Sequence, residues 1–296
     1  MSCNFISKIS IGSAQFGQNY GITNRSGKTK YQEVIKILNL AKKNQIDSID
    51  TAISYGNSEK VLGKAGISDF NIVTKLPSLK NIQSNYFSTL KEMLNRSMDR
   101  LKINKLECVL LHRPEDLIES RARDITEALS KLKEKNITKN IGLSIYSPII
   151  LDKIDYLSEL DVIQSPLNVF DRRIIDSGWL KRLKDKNIAF HARSVFLQGL
   201  LLSDISKLPK YFFPWKLDFI RWENFVKDLG VSKLSGALKY VLELDKVDKV
   251  ILGCENVDQF SEILKQARDI SKYSSEHCGL SSSDERLINP IEWKYL

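Results

Sequence analysis

The sequence predicts an α/β protein folded as one (β/α)8 barrel over residues 1–296, with 271–296 as a C-terminal tail beyond the last unit. Three observations predict it. Short apolar runs alternate with segments of helical period, eight times in succession, as a parallel sheet wrapped by helices requires. No Pro/Gly/Ser-rich linker divides the 296 residues, so the units read as one closed sheet rather than two domains. Several of the runs also end on a titratable side chain, and in parallel α/β folds the carboxyl ends of the strands form one shared mouth.

Taken in order, Lys8 to Ala14 form the first strand, which leads through Gln15, Phe16 and Gly17 into a polar loop reaching about Thr29. That loop lacks the Gly-x-Gly-x-x-Gly spacing of a doubly wound dinucleotide fold. Val34, Ile35, Leu38 and Ala41 recur at helical spacing, and Ile46 to Ile49 form a second strand that ends on Asp50. Val61 and Leu62 mark a short helix, and Asn71 to Thr74 a third strand closing on Lys75. Leu90, Met93, Leu94, Ser97, Met98 and Leu101 make the stripe of a long helix, the methionines being core. Leu106 to Leu111 give the fourth strand, closing on His112. Ile125, Ala128, Leu129 and Leu132 give a helix, Asn140 to Leu143 the fifth strand, and Ile149, Ile150, Ile154 and Leu157 the next helix. Val162 to Ser165, a helix around Trp179 to Leu183, and Ile188 to Arg193 follow. A longer connection ends in a helix carrying Leu234, Ala237, Leu238, Val241 and Leu242; Val250 to Leu252 and a helix through Phe260 and Leu264 close the set. In the tail, Trp293 and Tyr295 are expected to act as anchors.

Composition excludes several classes. Hydrophobic residues make up 42% and charged residues 27%, an ordinary soluble balance with ample core material. The net charge of +9 raises nucleic acid as a partner, but no recognition module is present. The densest basic run, Lys181, Arg182, Lys184 and Lys186, flanks Trp179, Leu180 and Leu183 at helical spacing and reads as a solvated face. Cys3, Cys108, Cys254 and Cys278 are widely separated, with no paired spacing and no histidine at ligand distance, so neither a disulfide framework nor a metal site is expected. No apolar stretch approaches the ~18 residues of a membrane span, and the expected location is the cytoplasm.

The chemistry concentrates in three stretches: Asp50-Thr51-Ala52-Ile53-Ser54-Tyr55-Gly56, Ile72-Val73-Thr74-Lys75-Leu76-Pro77 and Leu110-Leu111-His112-Arg113-Pro114. Singly, each has a plain reading: a helix cap, a solvated lysine, a structural histidine. Together and in this order they resemble the signature of the aldo-keto reductases, and the resemblance extends from Ile9 to about Leu264. It implies an NAD(P)-dependent oxidoreductase of the same barrel, moving hydride between nicotinamide and a carbonyl or alcohol. Tyr55 would then be the general acid, Lys75 the charge that lowers its pKa, Asp50 the partner of Lys75, and His112 a donor to the developing oxygen.

The resemblance also implies cofactor contacts. Gln15 and Phe16 would lie at the cofactor, Ser144 and Gln164 would hold the carboxamide, and Ile145 stands where many members have Asn. Arg193 replaces a stacking aromatic ring, and backbone amides within Phe196-Leu197-Gln198-Gly199-Leu200-Leu201 would cradle the pyrophosphate. Gly253, Glu255, Gln259 and Ile263 occupy positions where NADP-specific members place cations, which leans toward NAD while Lys265 and Arg268 keep NADP in play.

A sugar-like or polar carbonyl compound is the expected substrate, since His191 to Leu202 resemble members in bacterial carbohydrate-modifying clusters. Tyr211, Phe212, Phe213, Pro214 and Trp215 either line a pocket or pack beneath the long connection. A monomer or small homo-oligomer is expected. Two other readings stand beside this one: a cofactor-binding regulatory or scaffold protein of the same fold, and a barrel isomerase or aldolase using Lys75 as a Schiff base.

Overall fold

The computed structural model describes residues 5–118, 120–269 and 279–293. Cys3, His277, Cys278 and Tyr295 lie outside them. Eight parallel strands close into a TIM barrel in sequence order: β1 Ile9–Gly12, β2 Ser48–Asp50, β3 Asn71–Leu76, β4 Leu106–Leu111, β5 Thr138–Ser144, β6 Val162–Pro166, β7 Ala189–Arg193 and β8 Lys249–Gly253. Closure runs through β1 and β8, where Gly12 pairs with Gly253. Because every strand is parallel, the ends of all eight face one mouth, and Asp50, Lys75, Ser144, Gln164 and Arg193 all lie at or near those ends.

The surrounding helices follow the apolar periodicity. Helix Tyr31–Lys43 buries Val34, Ile37, Leu38 and Ala41, one i, i+3, i+4, i+7 face, so Ile37 takes the place expected of Ile35. Helix Tyr86–Leu101 buries Leu90, Leu94, Ser97 and Leu101, with Met93 and Met98 packed on its flanks. After β5 the expected helix is replaced by two 3-10 segments, Pro148–Lys153 and Leu157–Glu159. Pro148 starts the first, Ile154 ends it in extended backbone, and Ile149 is 66% exposed rather than core. β-Branched residues in so short a span lose side-chain freedom in an α-helix and gain little burial in return.

The connection between β7 and β8 builds a second apolar cluster on the barrel. Helix Lys216–Asp228, which the sequence reading does not separate from that connection, buries Phe219, Trp222 and Val226. The aromatic run takes its packing reading: Phe212 is buried against Phe219 and Trp293, with ring centroids 6.4 and 5.1 Å away. Trp293 also donates to the Arg286 carbonyl, which ties the described part of the tail to the same cluster. The basic run is a paired surface: Arg182 lies over Trp179 and bonds Asp152, and Lys184 pairs with Asp248. No helix among the described residues is long and apolar enough to cross a membrane.

Candidate active site

The turn after β2 is fastened from two sides. The Thr51 and Ile53 amides donate to the β3 carbonyls of Val73 and Lys75. From the other side the short helix Ala14–Gly17 packs onto it, and the Asn57 amide donates to the Gly17 carbonyl. A Cβ on Gly17 would stand 1.9 Å from the Tyr55 carbonyl oxygen, so only glycine lets the two segments approach this closely. The result is a half-buried Tyr55 held at the barrel mouth.

Beneath it runs a buried polar chain. Lys75 Nζ donates to Asp50 Oδ1 and to the Thr51 carbonyl, the latter at 2.9 Å. Gln164 Nε2 donates to Asp50 Oδ2 at 2.7 Å, and Ser144 Oγ donates to Gln164 Oε1 at 3.2 Å. Lys75 Nζ lies 5.1 Å from the Tyr55 ring centroid. His112 meets the same ring edge-on at 5.9 Å, and its Nδ1 shares a 3.2 Å hydrogen bond with Ser54 Oγ. The structure thus brings Asp50, Tyr55, Lys75 and His112 together.

Electrostatics correct one expectation. Burial, reinforced by the Asp50 carboxylate, pushes the Tyr55 phenol above its ordinary value instead of below it, and the opposing cation is Arg193 rather than Lys75. Burial also pulls the Lys75 ammonium down against the pull of Asp50. His112 is pushed down to about 3 by burial and by the Lys75, Arg193 and Arg113 cations, so its imidazole is neutral across the physiological range. His191, deeper in the barrel, is lowered to about 4 by burial.

A cavity of about 540 Å³ opens at Asp50 and Tyr55, lined also by Tyr20, Arg193, Gly253, Glu255 and Ile263 but not by Lys75 or His112. Gln15, Phe196, Gln198, Gly199 and Gln259 also line it. The Gln15 amide lies across Gly253, with Oε1 2.6 Å from where a Cβ would stand. Gln259 Oε1 accepts from the Glu255 amide at 2.8 Å, which fixes that corner. Arg193 stacks on Tyr146 at 4.2 Å, donates to the Ile145 carbonyl and Ser194 Oγ, and keeps a buried Nε without a partner.

Several expected contacts fall elsewhere. Phe16 is fully buried in the main core, because its short helix turns the ring inward. Ser144 and Gln164 sit behind Asp50 and do not line the cavity, since the carboxylate claims the Gln164 amide. Leu197 and Leu201 are buried in the second cluster. The amides of Leu197, Gly199 and Leu201 bond the Ser194 and Phe196 carbonyls, so the turn itself uses three of the six donors expected to cradle a pyrophosphate. Arg268 bonds Asn44 and, like Lys265, is not part of the lining. Tyr20, Tyr146 and Glu262 escape the sequence reading; the loop position of Tyr20 and the place of Tyr146 after β5 are the signals that mark the first two.

A profile of the aldo/keto reductase family matches residues 8–279. The chain belongs to that family. Aldo-keto reductases are NAD(P)-dependent oxidoreductases acting on carbonyl and alcohol groups, and this is one of them. Among its relatives, Aldo-keto reductase YhdN of Bacillus subtilis is 24% identical over 293 residues, covering 90% of this chain and 85% of that protein. The fold is shared with an aldo-keto reductase of Bacillus halodurans in its holo form, with a TM-score of 0.70, 19% identity and coverage of 90% and 87% of the two chains. It is shared also with the glycerol dehydrogenase of Gluconobacter oxydans, with a TM-score of 0.68, 22% identity and coverage of 91% and 88%.

Proposed function

We propose that this aldo-keto reductase reduces a small, polar, sugar-like carbonyl compound with NADH, using Tyr55 as the proton donor. The observation that carries the reading is that Tyr55 and Asp50 line one cavity, with the neutral His112 imidazole edge-on to the Tyr55 ring and Lys75 paired with Asp50 behind it. A bound nicotinamide supplies the hydride. Tyr55, kept protonated by burial, gives its proton to the carbonyl oxygen as charge develops there. His112, neutral and edge-on to Tyr55, orients that oxygen, and Asp50 holds Lys75 beneath the phenol.

The cavity fits a dinucleotide in volume and in its wall, which runs from Tyr55 to Glu255, Gln259 and Ile263. Preference for NADH rests on Glu255 and Glu262 in the lining and on Arg268 being held by Asn44. A carboxylate accepts from a ribose hydroxyl and repels a 2′-phosphate. Arg25 is the lining cation that opposes this, so both reduced cofactors must be titrated. NADH is expected to bind at least about tenfold tighter than NADPH, and Glu255→Lys to narrow the gap. Tighter NADPH binding by the wild type would contradict the preference. The sugar-like substrate rests on the hydroxyl-bearing wall of Tyr20, Thr23, Ser26 and Ser194, and on the polyol named for the Gluconobacter relative.

A further inference from the structure

Arg193 lines the cavity beside Tyr55 and is held there by neutral groups. Lys75 has Asp50, but no carboxylate partner of Arg193 is found among the described residues; its guanidinium bonds only neutral acceptors, the Ile145 carbonyl and Ser194 Oγ. One face is covered by the Tyr146 ring, and the group takes part in the cavity wall beside Tyr55. Its charge is felt by Tyr55, Tyr20, Lys75 and His112, so it acts on the whole reacting end.

Hydride transfer requires the nicotinamide carbon to stand within about 3–3.5 Å of the carbonyl carbon whose oxygen Tyr55 protonates. The ring must therefore occupy the volume that Tyr55 and Arg193 both face. In the oxidised cofactor that ring carries a positive charge; in the reduced cofactor it is neutral. We propose that Arg193 makes the site discriminate between the two redox states, holding the reduced cofactor and expelling the oxidised one by like-charge repulsion across the stack. This rests on the reductase reading and adds to it a direction: release of oxidised cofactor, a step that limits many dehydrogenases, is promoted after each reduction.

The test is titration of the folded holoenzyme-competent chain with reduced and oxidised cofactor, followed by fluorescence and calorimetry, for wild type, Arg193→Gln and Arg193→Lys. The wild type is expected to bind the reduced form at least about tenfold more tightly than the oxidised form, relative to the glutamine variant, a difference of about 30 mV in the potential of the bound couple. Arg193→Lys, which keeps the charge and loses the planar stack, is expected to retain most of that ratio. An equal ratio in wild type and Arg193→Gln overturns the role of Arg193, and carbonyl reduction by the wild type then leaves the reductase reading standing. Failure of the folded wild type to bind either redox state overturns both.

Discussion

At the scale of single residues, the Lys75–Asp50 pair shows how a buried charge is kept. The lysine is fully buried and its carboxylate nearly so, and Gln164 adds a second donor to the carboxylate. Removing one partner leaves the other charge uncompensated. Asp50→Asn is expected to lower the unfolding free energy by about 3–5 kcal/mol in urea titration. Replacing both together, as Asp50→Leu with Lys75→Met, is expected to recover most of that stability while activity stays lost. A single variant as stable as the wild type would show that the pair is not charged in the fold. That three apolar runs close on titratable groups was legible in the sequence, and the roles of those groups and of Tyr55 followed from the resemblance to the aldo-keto reductases. Which way Gln164 turns was not legible, because its partner Asp50 lies 114 residues earlier in the chain and only closure of the barrel brings them together.

At the scale of elements, the turn bearing Tyr55 depends on a neighbour that touches it through backbone only. A side chain at position 17 would meet the Tyr55 carbonyl and the Ser58 amide, the latter at 2.4 Å from the new Cβ. Gly17→Ala is therefore expected to move the phenol and lower kcat/KM for carbonyl reduction at least about tenfold, while cofactor affinity changes little. Unchanged kcat/KM would show that the turn yields without moving Tyr55. The strands and most helices followed from periodicity, since burial on both faces of a barrel strand demands continuous apolar runs. The segment after β5 did not, because its isoleucines fit a helical pattern that so short a span, ending in extended backbone at Ile154, does not sustain. The turn at Leu197 also hid its nature: Leu197 and Gln198 adopt left-handed backbone, and the Gly199 position faces Thr23, with no local residue pattern that announces either.

At the scale of the whole molecule, closure of eight strands turns separate sequence stretches into one site, and the electrostatics of that site favour reduction. Burial keeps Tyr55 protonated, Arg193 disfavours an oxidised ring, and His112 stays neutral. The sign with pH follows. Because the folded phenol lies above its ordinary value, the proton donor is present at all pH values up to at least about 10, so reduction is expected to be level through the neutral range as far as Tyr55 is concerned. Alcohol oxidation, which needs the phenol deprotonated, is expected to climb steadily with pH over the same range.

The central claim, that Tyr55 donates the proton, is tested most directly by kcat/KM for carbonyl reduction in wild type and Tyr55→Phe, measured beside the cofactor dissociation constant of each. A loss of about a hundredfold or more in kcat/KM with unchanged cofactor binding is the predicted result. A Tyr55→Phe enzyme that reduces the same carbonyl at the wild-type rate would contradict the claim and move attention to Tyr20, the second phenol of the cavity.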